Sequence, residues 1–152
     1  LVYKTKATGV MARPRKIDSD LRHGRHCVFA LHVHLVFVTK YRRNVFKMEH
    51  LEAMHTILAS VCQDFEAELV EFTGEHDHVH LLINYPPKVA LSSLVASLKG
   101  VSARLLRKEF GDFHPWLKRR GVLWSPSYFA SSCGGAPIDI LRQYIEEQQT
   151  PH

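Results

Sequence analysis

The chain has 152 residues, of which 45% are apolar and 10% aromatic, so it can form one domain with a hydrophobic core. This composition excludes a wholly disordered protein, and no apolar run is long enough to predict a membrane span. Three scattered cysteines exclude a disulfide scaffold and a cysteine-rich zinc module. With no apolar leader segment, we expect a cytoplasmic protein.

The net charge of +5 is concentrated at one end of the chain. Residues 1–26 contain seven Lys or Arg and two Asp, whereas residues 27–152 contain thirteen charges of each sign. We interpret residues 1–26 as a flexible basic arm, or as partly foreign sequence with Met11 as the natural start. Residues 27–152 are then the single functional domain, in which clustered bases predict a surface that attracts phosphate.

The hydrophobic pattern predicts the element order βαββαβ, followed by one more helix. Strands are predicted over residues 27–39, 68–73, 77–84 and 122–131, the last broken by Pro126. Helices are predicted over residues 48–65, 89–110 and 137–149, with Gly134 and Gly135 as a hinge before the last one. This order is typical of an α+β, ferredoxin-like (RRM-like) fold, an antiparallel sheet with two helices on one face. We expect the last helix to cover the other face.

Alternation along the first and third strands predicts which side chains face the two helices. The predicted inward residues are Leu31, Val33, Leu35, Phe37, Val79, Leu81 and Ile83. The opposite face then carries five histidines, which are His32, His34, His76, His78 and His80. Because histidine is uncommon on a sheet surface, this cluster indicates a chemical role.

Two pairs of these histidines have the spacing of a metal site. Residues two apart on a strand have Cα atoms roughly 6.5–7 Å apart on one face, so both rings can reach one ion. The spacing alone leaves the pair His32 and His34 open, but Asp77 and the preceding turn favour His78 and His80. A third ligand is needed, from His76 or from the covering helix.

The predicted last helix offers two polar groups one turn apart, Tyr144 and Gln148. Gln148 has a neutral carbonyl oxygen that can bind a cation, and Tyr144 has a phenol that can attack phosphorus. The alternative for each is ordinary packing, since a helical tyrosine beside an apolar stripe is most often part of the core.

Four stretches of the sequence resemble the HUH single-tyrosine transposases of the smallest bacterial and archaeal insertion sequences. They are residues 34–42, 77–83, 98–104 and 140–148, in the order of the family. The specific part is a Tyr-x-x-x-Gln motif after an upstream His-x-His motif. The resemblance implies that residues 27–152 form a transposase catalytic domain. It assigns His78, His80 and Gln148 to a divalent metal, magnesium or manganese, and Tyr144 to the nucleophile.

The resemblance also implies a reaction and partners. The enzyme would cleave and rejoin single-stranded DNA at hairpin-bearing element ends through a 5′-phosphotyrosine, as a homodimer with active sites shared between subunits. Bases expected to contact DNA phosphates are Lys40, Arg42, Arg43, Lys99, Arg104 and Arg107. Residues expected beside the metal ligands are His32, His34 and His76.

Other functions remain open from the sequence. A domesticated relative that processes repeated genomic palindromes would have the same site residues. A replication initiator or relaxase shares the motifs but is usually larger. A non-catalytic nucleic-acid-binding ferredoxin-like domain would carry aromatic residues on its central strands. A metal-storage protein would not need Tyr144.

Overall fold

The structure, a computed structural model, describes residues 1–4, 22–24, 28–29, 31–132 and 138–148. The strands are β1 (Tyr3–Lys4), β2 (Arg22–His23), β3 (Val28–Phe29), β4 (His32–Val38), β5 (Glu68–Gly74), β6 (His78–Asn84) and β7 (Phe129–Ser132). The helices are α1 (Met48–Asp64), α2 (Leu91–Phe110), α3 (Pro115–Arg120) and α4 (Ile138–Glu147). None of these helices is both long and apolar enough to cross a membrane.

The main sheet has the strand order β1-β5-β6-β4-β7, and every neighbouring pair is antiparallel. The first long strand of the predicted domain, β4, therefore lies beside β6 at the centre of the sheet. Helices α1 and α2 pack together against one face of the sheet, with which they share the hydrophobic core. This arrangement confirms the ferredoxin-like fold predicted from the sequence.

The core lies between this face and the two helices. The inward side chains of the central strands are buried, as alternation predicts, and they are Val33, Leu35, Phe37, Val79, Leu81 and Ile83. They meet buried leucines of α1 and α2 such as Leu58 and Leu98. Removal of these apolar side chains from water is the main force that joins the helices to the sheet.

The first strand is shorter than predicted. Strand β4 begins at His32, and Val28–Phe29 pairs instead with Arg22–His23. The partner strand β6 limits its length. His32 pairs with Asn84, the last residue of β6, and Pro86 and Pro87 soon after it have no N–H to extend the ladder. Leu31, predicted to face the core, is 38% exposed for the same reason.

Part of the leading segment is folded against the domain, which differs from the expectation of a flexible arm. Strand β1 pairs with β5, and the Tyr3 hydroxyl lies 2.9 Å from Nδ1 of His55. Arg22 donates to the side chain of Asn84 at 2.8 Å and to the Glu66 carbonyl. Residues 5–21 lie outside the described part of the chain, as do the predicted hinge glycines Gly134 and Gly135.

The region between α2 and α4 differs most from the prediction. Strand β7 covers only Phe129–Ser132, and an isolated bridge joins Trp124 to Thr39, because Pro126 cannot donate to the ladder between them. Helix α3 was not predicted from the sequence. Two residues cap this helix. At its start, the His114 ring accepts a hydrogen bond from the backbone N–H of Trp116, and at its end Gly121 has a left-handed backbone conformation.

Candidate active site

The face of the sheet turned away from α1 and α2 carries the predicted histidines. His80 pairs with Val36 across β6 and β4, and Val36 pairs with Phe129 across β4 and β7. Directly opposed residues of an antiparallel sheet present their side chains on one face, so His80, Val36 and Phe129 form one row. Val36 is only 2% exposed, which shows that this face is covered there.

His34 and His80 contact each other on this face. Nδ1 of His34 lies 3.0 Å from Nε2 of His80, and the two rings stack with centroids 5.1 Å apart. One nitrogen must donate and the other accept, so the pair shares a proton. Burial, and to a lesser degree the neighbouring His34, lowers the pKa of His80. This favours the neutral imidazole, the form that binds metals.

His78 is held by two carboxylates. Its Nδ1 lies 2.7 Å from Oδ1 of Asp77, and its Nε2 lies 3.0 Å from Oε2 of Glu75. Arg42 donates from Nε to the second oxygen of Asp77 at 2.8 Å. Burial raises the pKa of Asp77, but the hydrogen bonds and charges of His78 and Arg42 outweigh it, so the pKa lies below its ordinary value. A charged Asp77 therefore fixes the orientation of the His78 ring.

The loop after β4 supplies this arginine from a strained backbone. Tyr41 and Arg42 both have positive φ, at 57° and 54°, a conformation that costs free energy in residues other than glycine. The Thr39 hydroxyl donates to the carbonyl of Arg43 at 2.7 Å and closes the loop. The backbone N–H of Thr39 donates to the carbonyl of Asp77 at 2.9 Å. The loop and the turn before β6 thus form one connected unit.

Tyr144 and Gln148 are positioned by two serines in the loop before β7. The Tyr144 hydroxyl lies 2.9 Å from Oγ of Ser127, and the Gln148 carbonyl oxygen accepts from Ser125 at 2.6 Å and from Ser127 at 3.3 Å. The Tyr144 ring packs on Phe129 with centroids 5.7 Å apart. Burial raises the pKa of Tyr144, and the Ser127 hydrogen bond opposes this shift in part.

A lysine fixes the serine loop from the other side. Nζ of Lys99 donates to the backbone carbonyls of Ser125 and Ser127, at 2.6 Å and 3.1 Å. Burial lowers the pKa of this lysine. The sequence predicted that Lys99 contacts DNA, but the structure turns its ammonium group toward the protein backbone. The sequence analysis did not predict the two serines as site residues or their link to this lysine.

The structure places the predicted nucleophile and the histidines on one face but does not gather the predicted metal ligands. Phe129, on which Tyr144 packs, is two strand spacings or about 10 Å from His80 along their shared row. The described bonds of Gln148 go to serines, and those of His78 and His80 go to Asp77, Glu75 and His34. Among the described residues, no three His, Cys, Asp or Glu side chains are arranged to hold a metal ion.

The donor types nevertheless fit a divalent cation. The amide oxygen of Gln148 suits magnesium or manganese, whereas imidazole nitrogens suit transition metals, so this is a mixed set of donors. Oε2 of Glu75 faces the nitrogen of His78 that is turned away from Asp77. Of the other histidines, only His34 contacts this set directly among the described bonds. His32 accepts from the Asn84 amide at 3.2 Å, and His76 lines a cavity beside the loop after β4.

The other predicted DNA-binding residues fall into two separate groups. Lys40, Arg42 and Arg43 lie in the loop after β4, beside Asp77. Arg104 and Arg107 lie on α2, which packs on the opposite face of the sheet. Arg104 is exposed, whereas Arg107 is partly buried, with Nε 4.0 Å from Asp112. The six bases thus lie on two elements, the loop after β4 and helix α2.

The profile of the family described as "Transposase IS200 like" matches residues 27–148, which covers most of the chain and the whole of the site. The chain belongs to this family. The IS200-like transposase fold thus accounts for the placement of the His-x-His and Tyr-x-x-x-Gln motifs, and the protein is a transposase, an enzyme that cleaves and transfers DNA strands.

Individual relatives agree with this assignment. The transposase of insertion sequence element IS200 from Salmonella typhimurium is 34% identical over 132 residues, which cover 86% of this chain and 83% of that protein. The ISDra2 transposase TnpA of Deinococcus radiodurans is 32% identical over 132 residues, 85% of this chain and 91% of its own.

Solved structures share the fold. A transposase structure from Deinococcus radiodurans superimposes with a TM-score of 0.73 and 33% identity, over 86% of this chain and 99% of that chain. A REP-associated tyrosine transposase bound to a REP hairpin has a TM-score of 0.51 at 13% identity, over 82% of this chain and 68% of that chain. The second likeness concerns the fold alone.

Proposed function

We propose that this transposase cleaves and rejoins single-stranded DNA at the hairpin-bearing ends of an insertion sequence, with Tyr144 as the nucleophile. The observation that supports this most directly is the row of His80, Val36 and Phe129, on which the Tyr144 ring packs. It puts the phenol on the same face of the sheet as the imidazoles, about 10 Å away, so the groups share a face without closing a site within one chain. The insertion-sequence role follows the relatives of about one-third identity, which are transposases of such elements.

In the proposed step, the Tyr144 phenol oxygen attacks the scissile phosphorus. An Oη–P bond forms, the P–O3′ bond breaks, and the leaving strand ends in a 3′-hydroxyl. Because burial raises the pKa of Tyr144, the phenol is protonated at neutral pH, so it loses one proton during the attack while the leaving 3′-oxygen gains one. Ser127, 2.9 Å away, orients the phenol for this loss. A 3′-hydroxyl that later attacks the phosphotyrosine rejoins the strands without an external energy source.

We also propose that His78, His80 and Gln148 hold a divalent cation, magnesium or manganese. When bound, such an ion polarises the phosphate and offsets the negative charge that develops on it. Asp77 supports this role because it holds Nδ1 of His78 and leaves Nε2 on the side of Glu75. Gln148 would exchange its bonds to Ser125 and Ser127 for the cation.

The working form is proposed to be a homodimer in which Tyr144 and Gln148 of one subunit serve the histidines of the other. The hydrogen bonds within the single chain support this proposal. They hold Tyr144 and Gln148 on serines and His78 and His80 on other partners, so the chain by itself does not assemble the site.

The test is covalent attachment to DNA. Wild-type protein incubated with a hairpin-bearing single strand and Mn²⁺ or Mg²⁺ is expected to form a denaturation-resistant adduct. Tyr144→Phe should abolish the adduct without unfolding the protein, because it removes one hydroxyl. Tyr128→Phe is the matched control, since Tyr128 is an exposed tyrosine close to Ser127 in the chain. Adducts in the Tyr144→Phe variant, or their loss in the control, would refute the assignment.

A further inference from the structure

A cavity beside α3 has no role in the proposed cleavage step. It has a volume of about 450 Å³ and is lined by Arg43, His114, Pro115, Trp116 and Arg119. Sites for small organic ligands fall in the range of about 300–1,000 Å³, and the cavity lies within this range.

The wall of this cavity is a stack of aromatic and cationic groups. The Arg43 guanidinium lies 4.1 Å from the centroid of the Trp116 ring, and the Tyr41 ring meets Trp116 edge-on at 5.5 Å. Unpaired bases stack on aromatic rings and on guanidinium planes, and such stacking tolerates any base. Arg43 and Arg119 add two positive charges, which suit the phosphate attached to the base.

The wall is held in place before any ligand binds. The strained loop at Tyr41 and Arg42 is closed by the Thr39 hydroxyl and anchored to Asp77. His114 accepts from the backbone N–H of Trp116 through Nδ1, so its Nε2 carries the proton of the neutral ring and can donate. Burial and the charge of Arg43 lower the pKa of His114, which keeps this ring neutral.

A second cavity links this wall to the candidate active site. It has a volume of about 500 Å³, shares Arg43 and His114 with the first, and continues to Arg42, His76 and Asp77. The two linings contain three arginines and one carboxylate, Asp77, which is already bonded to Arg42 and His78. A positively charged path therefore leads from Trp116 to the residue that orients His78.

We propose that the cavity beside α3 binds one unpaired nucleotide of the DNA strand, with its base against the Arg43–Trp116 stack and its phosphate at Arg43 and Arg119. The adjoining nucleotide would occupy the second cavity and lead the strand to His78. This inference rests on the proposed function, because it takes single-stranded DNA as the substrate. It adds Trp116, Arg119 and His114, which the sequence did not predict as site residues.

The experiment measures binding of a short oligodeoxythymidylate to full-length protein that carries Tyr144→Phe, so that cleavage does not intervene. Trp116→Ala and Arg119→Ala are each expected to weaken binding about tenfold. Arg119→Ala should also reduce the slope of affinity against salt by about one, whereas Trp116→Ala should leave it unchanged. Lys118→Ala is the matched control, because it removes an equal charge from the same helix outside the cavity lining.

The position of the base is tested by cross-linking. An oligodeoxythymidylate that contains 5-iodouracil should cross-link under ultraviolet light to the peptide with Trp116 or Tyr41. Equal losses from Arg119→Ala and Lys118→Ala, or cross-links confined to other peptides, would overturn the inference. If Trp116→Ala lowers the melting temperature, binding by Trp116→Leu and Arg119→Ala is used to test the inference instead. Failure of the proposed cleavage is seen separately, as the absence of adducts with Tyr144 intact.

Discussion

The two histidine pairs differ in their hydrogen-bond partners. His78 is oriented by Asp77 and Arg42, and His80 contacts His34, whereas His32 is occupied by Asn84. We therefore expect His78→Ala and His80→Ala each to abolish cleavage while hairpin binding persists, because binding depends on basic and aromatic groups. Calorimetric titration with Mn²⁺ should show lost metal binding in both variants.

The control for this prediction is His32→Ala, which changes the same residue type on the same face. It should retain both metal binding and cleavage. The opposite pattern, with metal binding lost only in His32→Ala and His34→Ala, would assign the metal to the other pair.

Another residue-scale prediction concerns acid stability. His50 is buried in α1, stacks on Phe113 with centroids 4.2 Å apart, and accepts from the backbone N–H of Lys47 at Nδ1. Burial lowers the pKa of His50 below its ordinary value of 6.5. The unfolded ring therefore protonates first, so stability is fully present above pH 6.5 and decreases as the pH falls below it.

Urea unfolding between pH 7 and pH 5 checks this linkage. His50→Gln should make the free energy of unfolding less dependent on pH, because the titrating ring is gone. His23→Gln, which makes the same substitution at an exposed histidine, is the matched control. A wild-type slope that persists in His50→Gln would show that the acid sensitivity has another source.

At the scale of elements, two glycines give opposite predictions for one substitution. A Cβ on Gly74 of β5 would lie 2.7 Å from Cδ2 of Leu51, a fully buried side chain of α1, so Gly74→Ala should destabilise the protein by about 1–3 kcal/mol. A Cβ on Gly100 of α2 meets no atom within 4 Å, so Gly100→Ala should stabilise it by about 1 kcal/mol.

Denaturant titration of both variants measures these changes. Each glycine variant serves as the control for the other, since the added methyl group is the same and only its surroundings differ. Similar changes in both would mean that the packing of β5 on α1 does not limit the residue at position 74. Weaker DNA binding by Gly100→Ala would locate a close approach of the strand at α2.

At the scale of the whole molecule, the proposed sharing of active sites between subunits predicts the activity of mixed dimers. A Tyr144→Phe chain lacks the nucleophile and a His78→Ala chain lacks a ligand, so neither should cleave alone. In a mixed dimer, one of the two sites combines an intact Tyr144 with intact histidines. The mixed dimers should therefore cleave with about half of the activity of wild-type dimers. Cleavage assays on co-refolded chains measure this recovery. Inactive mixed dimers, with dimerisation verified by light scattering, would place each site within one chain.

Local patterns were sufficient to predict the architecture. Alternation at Val79, Leu81 and Ile83 and the stripes of α1 and α2 gave the order and faces of the elements, because burial of apolar side chains sets the period of each element. The same alternation predicted the histidine face, and the motifs predicted the transposase family. Element ends were less accurate, since Pro86 and Pro126 limit strands through the hydrogen bonds that they cannot donate.

Contacts between distant segments required the tertiary structure. Arg42 bonds to Asp77, which orients His78, and Lys99 bonds to Ser125 and Ser127. The partners in each contact are far apart in the sequence, so no local pattern predicts them. The sequence by itself determined the fold and the family, because these depend on residue type and local spacing. The tertiary structure alone decided which partner each site residue holds, because hydrogen bonds between segments depend on how the strands and loops pack.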